Sequence, residues 1–274
     1  MFNNVLVGVD GRAYGRDAIA LAARLKDPGG KLTFAFVQGG SLAEDLEDAD
    51  KLLEGERRAA DLDADLISVV AVSPGRGLHK QAEKQNADLL VVGSCSHSAF
   101  GRAMLGDDTR AALNGASCAV AIASSGLAER GEPIARIGVA YNGSPESEAA
   151  LALARELAAR TGASVHALEV VSIPSVAYTG IVAPALGDTI DTMLNEATGR
   201  LERLSGVEGR AAFGLIGEEL AAFGEELDLL VVGSRGYGPA KRLVLGSTSN
   251  YLERHARCHL LVLPRGARAA TSAT

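Results

Sequence analysis

The stretch with the most chemical potential reads Gly233-Ser234-Arg235-Gly236-Tyr237-Gly238, then Pro239 to Leu245, then Gly246-Ser247-Thr248-Ser249. Its spacing is G-x2-G-x9-G-S. Glycines let backbone N–H groups approach a phosphate with no Cβ in the way. Gly246-Ser247 then opens a helix-like run from about Thr248 to His255, whose first N–H groups and dipole favour an anion. Ser247 can donate its hydroxyl to a phosphate oxygen or cap the helix, and Arg235 adds a cation. The structural alternative makes the glycines tight turns and Ser247 an N-cap. Two glycine turns bracketing a fixed spacer, with a hydroxyl at the helix start, favour the anion site. No P-loop competes, because Gly30-Lys31 is followed by Leu32 and lacks the upstream glycine.

The same pattern occurs earlier in weakened form. Asp88–Ser94 recurs as Asp228–Ser234, 140 residues later, and Gly106/Gly246 and Cys118/Cys258 keep that offset. Val5–Gly11 aligns with Ile137–Gly143 at an offset of 132, so the second half holds 8 extra residues, placed in Ser172–Gly187. The first half keeps Gly93 and Gly106. It has Ser96 for the second glycine, Asp107 for Ser247, Asp108 next to it, and Cys95 for Arg235. A carboxylate about 4 Å from a phosphate costs up to roughly 4 kcal/mol at an effective dielectric near 20. The same Asp is a good helix cap, so the fold gains what the anion site loses. The second half is the better site.

Strands and helices must hold these residues in place. Short apolar runs at Asn4–Val9, Lys31–Val37, Leu66–Val72, Leu89–Val92 and Ala119–Ala123 read as parallel strands buried on both faces. Ala18, Leu21, Ala22 and Leu25 form one helical stripe, repeated as Ala150, Leu153, Ala154 and Leu157. Ser144-Pro145-Glu146 starts the second of these helices and Gly162 ends it. The fold class is therefore α/β: two doubly wound five-stranded parallel sheets of order 3-2-1-4-5, with right-handed crossovers, in tandem about a pseudo-two-fold axis. The units are expected over 1–125 and 134–266, split within Ser124–Ala135. Ligands bind such sheets beyond the carboxyl ends, where the winding reverses. That points to Asp10 and Gly93 in the first half, and to Asn142 and Gly233 in the second.

Composition narrows the partners. The 274 residues suit two domains, and 27 basic against 34 acidic side chains give a net charge of −7. Aromatics at 4% and the absence of Trp argue against nucleic acid, as the acid balance argues against anionic lipid. No run approaches the roughly 18 apolar residues of a membrane span. Three cysteines make no disulfide framework, and the start lacks a basic n-region, so a cytoplasmic protein is expected.

These motifs resemble the universal stress protein family, and the resemblance covers nearly the whole length as two copies. It rests on the initial V-x-V-D-G turn, the glycine signature, and the closing Cys-apolar strand. It implies ATP, with or without Mg²⁺, held by Gly233, Arg235, Gly236, Gly246, Ser247 and Thr248 at the phosphates. Tyr141, Asn142 and Val170 would meet adenine and ribose. Asp10, Val37, Gly93 and Gly106 are the weaker equivalents in the first half. Asn142 stands where Asp10 has the family's acid, and its amide retains hydrogen bonding. It further implies pairing of the two closing strands, Cys118–Ala123 and Cys258–Leu263, antiparallel within the chain, as in the family's dimers. A homodimer is compatible with the apolar insertion.

With no general base near the loop and no carboxylate pair for Mg²⁺, hydrolysis is expected to be slow at most. That leaves a stress-linked nucleotide-binding regulator, against an interaction module or a slow ATPase switch. Lesser candidates remain. His255, Cys258 and His259 have crude zinc spacing, yet Cys258 repeats Cys118, which has no flanking histidine. Cys95 beside His97 lacks an orienting carboxylate. The acidic run Glu44–Asp50 with Glu54 reads as a solvated helix face over Leu42, Leu46, Leu52 and Leu53. A receiver domain would need an acid after strand three, where Ser73-Pro74-Gly75 and Phe213-Gly214-Leu215 stand instead.

Overall fold

The computed structural model describes residues 2–38, 43–94, 116–173, 183–234 and 247–264. The first half comprises β1 (Phe2–Gly8), α1 (Ala13–Leu25), β2 (Lys26–Gln38), α2 (Ala43–Ala60), β3 (Asp65–Val70), α3 (Pro74–Lys84), β4 (Leu89–Gly93) and β5 (Ala119–Ala123). A short helix α4 (Leu127–Arg130) lies between the halves. The second half follows with β6 (Arg136–Ala140), α5 (Pro145–Thr161), β7 (Ser164–Val171), α6 (Ala183–Leu201), β8 (Glu208–Phe213), α7 (Ile216–Phe223), β9 (Leu229–Gly233), α8 (Ser247–His255) and β10 (His259–Leu263).

All ten strands form one sheet, in the order β3-β2-β1-β4-β5-β10-β9-β6-β7-β8. Each half is parallel with order 3-2-1-4-5. The halves meet where β5 and β10 pair antiparallel, Ala121 opposite Leu261. Pairing hides two fully buried, largely apolar edges that would otherwise invite aggregation, and leaves β3 and β8 at the outside.

Helices cover both faces. On one, α1 and α5 bury Ala18, Leu21, Ala22 and Leu25, and Ala150, Leu153, Ala154 and Leu157, in a layer continuous across both halves. On the other, Leu78, Leu220 and Leu252 lead a second continuous layer. The start of α5 is as its sequence requires. Ser144 Oγ accepts from Ser147 N at 3.3 Å, and Gly162 ends the helix at φ +75°.

Several strand bounds differ from expectation, and two of the differences have a clear cause. β2 begins at Lys26 rather than Lys31, because Lys26 Nζ binds the carbonyls of Asp27, Pro28 and Gly30 and draws that turn onto the sheet. β3 ends at Val70 rather than Val72, since the chain turns outward to start α3 at Pro74. Asp88 and Asp228, which open the repeated motif, prove to be fasteners. Asp88 accepts from Asn3 N and Asn4 N, and Asp228 from Ala135 N and Arg136 N, at 2.7–3.0 Å. Each pins the start of strand one beside strand four. Burial raises the Asp88 pKa, against the pull of those N–H groups.

Candidate functional site

Both halves open a cavity where strands one and four part at their carboxyl ends. The second has a volume of about 490 Å³ and the first about 340 Å³, both within the range of roughly 300–1,000 Å³ usual for small-ligand sites. Tyr141, Asn142, Val170, Gly233 and Thr248 all line the second, although they come from four separate segments of chain. Asp10, Val37 and Gly93 line the first in the same relative places. Arg235, Gly236, Gly246 and, in the first half, Cys95, Ser96, His97, Gly106, Asp107 and Asp108 lie outside the described residues. Ser247 is the first residue of α8, one earlier than expected, and its side chain is likewise outside them.

Several nominated side chains are already engaged. The Tyr141 phenol donates to Glu148 on α5, and burial pushes its pKa up to about 12. It is a core residue, 7% exposed, and offers a ligand no hydroxyl. Asn142 Oδ1 accepts from Ser144 N at 3.1 Å, and Asp10 Oδ1 accepts from Arg12 N at 3.1 Å. Both residues thus make the same Asx turn into the next helix, and Asn142 keeps Nδ2 as its donor for a ligand. Gly233 has a packing reason to be glycine. An added Cβ would stand 2.9 Å from the Glu146 carbonyl oxygen, and one at Gly93 would run into that of Tyr14. The strand-four glycine therefore lets helix α5 or α1 approach, a role the motif alone did not separate from phosphate access.

Three features escaped the sequence reading. Ser234, 1% exposed, lines the second cavity with a buried Oγ that has no hydrogen-bond partner among the described residues. Its repeat partner Ser94 is equally buried and orphaned, but lies at the seam beside Ser124 and Glu253. A buried hydroxyl without a partner costs about 1–3 kcal/mol. That both follow the strand-four glycine was visible in the sequence; that both are buried was not. Helix α8, the second feature, is seated by Gly217, where an added Cβ would stand 2.7 Å from the Tyr251 ring. Thr248 and Ser249 in its first turn then reach the cavity. The third is the pair Arg12 and Tyr14 on the wall of the first cavity, where the second has Ser144 and Glu146. Arg12 Nη1 donates to the Tyr14 hydroxyl at 2.7 Å.

The lesser candidates separate in space. His255 Nδ1 lies 2.8 Å from Tyr251 O and its ring stacks on Tyr251, whereas His259 Nδ1 accepts from Ser124 N at 3.0 Å. Cys118 and Cys258 are buried, and desolvation pushes both thiols up to about 12, as befits core packing. Among the described residues no helix is long and apolar enough to cross a membrane.

A doubly wound α/β repeat with a cavity at each switch point defines a class, and the comparisons give it a family. The sequence profile of the universal stress protein family matches residues 1–124 and again 133–264. The chain belongs to the universal stress protein family and carries its domain twice. "Universal stress protein Rv2005c" of Mycobacterium tuberculosis is 31% identical over 190 residues, 64% of this chain and 61% of that one. A Mycolicibacterium smegmatis universal stress protein is 27% identical over 197 residues, 65% and 62% of the two chains. The chain thus spans about three-fifths of the length of these relatives. A crystal structure of a universal stress protein from Archaeoglobus fulgidus has the same fold, with TM-score 0.65 at 21% identity, over 96% of this chain and 99% of that one.

Proposed function

We propose that this chain binds an adenine nucleotide, ATP foremost, in the cavity of its second half, and acts as a stress-linked regulator. The observation that carries the reading is the convergence of Tyr141, Asn142, Val170, Gly233 and Thr248 on one cavity. The orphaned Ser234 hydroxyl beside the α8 start fits a phosphate acceptor there. The β6 and β7 ends would take the base and ribose, with Asn142 Nδ2 donating. The loop from Gly233 to Ser247 would wrap the phosphates, and its Arg235 would offset the Glu146 carboxylate on the wall. ATP supplies a polyphosphate charge to be neutralised.

Titration calorimetry tests this directly. One ATP site is expected in the unmodified chain, and Gly236→Asp should weaken it at least about a hundredfold, roughly 2.7 kcal/mol. Two equally tight sites, or binding that survives Gly236→Asp, would refute the assignment. The reading as an interaction module is favoured by one observation. Val70 and Val72 stand 49% and 96% exposed after β3, and Phe213 and Leu215 stand 37% and 63% exposed at the matching end of β8. The insertion expected at Ser172–Gly187 follows β7, whose last residue Val171 pairs with Phe213, and residues 174–182 lie outside the described residues. Mass spectrometry of ligand released from purified protein separates the readings, since a nucleotide-free protein would favour the module.

A further inference from the structure

At the opposite end of the second half's strands from its own cavity, the amino ends of β7 and β8 bring three reactive side chains together. Ser164 and His166 are two residues apart on β7 and so share a face. The parallel register then sets His166 beside Glu208 on β8. Ser164 Oγ lies 2.7 Å from His166 Nε2, and His166 Nδ1 lies 3.2 Å from Glu208 Oε2. An imidazole that donates Nδ1–H to a carboxylate leaves Nε2 as an acceptor, so the Ser164 hydroxyl donates to it. The His166 side chain is held deep, 11% exposed, while Ser164 is exposed to solvent. Ser164 and Glu208 also line an open cavity of about 730 Å³, with Arg155 on its wall. A hydroxyl, a base within hydrogen-bond reach and a third group orienting that base are the signature of an activated nucleophile.

We propose that Ser164 is a nucleophile toward small acyl and phosphonyl electrophiles, with His166 as its general base and Glu208 as the positioning residue. With an ester, Oγ bonds to the carbonyl carbon as its proton passes to His166 Nε2, and the π pair moves to the carbonyl oxygen. Collapse breaks the carbon–oxygen bond to the alcohol, which leaves with the proton from Nε2. Water repeats the sequence, releasing the acid and restoring Ser164. Arg155 stands on the wall of the same open cavity. Its Nη2 donates to Ser205 O at 2.8 Å, which fixes its place. The site shares no residue with the nucleotide cavity and does not rest on that reading.

The test uses an alkyl fluorophosphonate on the full chain, with the labelled residue mapped by peptide mass spectrometry. There Oγ bonds to phosphorus, fluoride leaves with the bonding pair, and the proton goes to His166. We expect label on Ser164, lost in Ser164→Ala, and slowed by about a hundredfold in His166→Asn, within the range for general-base removal. Glu208→Gln should slow it severalfold while leaving the melting temperature unchanged, which a merely structural carboxylate would not do. An unlabelled native protein would overturn the proposal. So would a labelling rate equal to that of the heat-unfolded chain, or one unmoved by Glu208→Gln.

Discussion

The first cavity carries Arg12 and Tyr14 on its wall where the second carries Ser144 and Glu146. In the loops that follow strand four the bias runs the other way, with Asp107 and Asp108 in the first half against Arg235 and Ser247 in the second. Among the described residues the wall of the second cavity bears a carboxylate and no cation. In the second half wall and loop therefore differ in charge, whereas the first wall pairs Arg12 with Asp10 at 4.0 Å. On the function proposed above, a phosphate preference in the second half would come from its loop rather than from its described wall.

The comparison breaks most severely at the strand-four glycines. Gly93→Ala drives a methyl into the Tyr14 carbonyl, and Gly233→Ala sets one 2.9 Å from that of Glu146. We expect losses of about 4 and about 2 kcal/mol, respectively, by urea denaturation. Equal losses would mean that α1 and α5 approach the sheet equally closely.

The seam between halves is also uneven, since His259 on β10 repeats Ala119 on β5. Burial, reinforced by Arg24, lowers the His259 pKa from 6.5 to about 4. Between these values the unfolded chain binds the proton and the folded one does not. The contribution is therefore complete above pH 6.5 and lost as pH falls toward 4, at a cost of about 3 kcal/mol. Denaturation from pH 7.5 to 4 should show this slope, and His259→Gln should flatten it. A slope unchanged by that substitution would assign it to other groups.

Ser96→Gly with Asp107→Ser sharpens the contrast between loops. Removing one obstruction and one like charge should raise ATP affinity in the first half about tenfold, or 1.4 kcal/mol. Calorimetry on a Gly236→Asp background isolates that site. The smallest effect concerns Tyr141, whose counterpart Val9 has no hydroxyl. Tyr141→Phe should cost about 1 kcal/mol of stability through the lost bond to Glu148. ATP affinity should move by no more than about twofold, a bound that fails if the phenol meets the ligand.

The sequence by itself determined the repeat, the order of elements, and some of the positions on the cavity walls, among them Asp10 and Gly93 in the first half and Asn142 and Gly233 in the second. Those follow from short-range signals: apolar runs, helical stripes, caps such as Ser144 and Gly162, and a motif repeated at a constant offset. It also contained the contrast between Asp107 and Ser247, because like charges at a helix start need no coordinates to be compared. Only the tertiary structure decided what each residue is free to do. Tyr141 reads as a ligand contact until its phenol is found donating to Glu148 seven residues on, and Asp88 only as the start of a repeated segment until it is found holding Asn3 and Asn4. Arg12 was an unremarked arginine until strand pairing set it across the cavity from Val37 and Gly93. Ser164, His166 and Glu208 are scattered polar residues until the register of β7 on β8 brings the last within 3.2 Å of the imidazole. Hydrogen bonds and close packing act over a few ångströms, and which groups come that near is set by chain crossings that span tens to hundreds of residues.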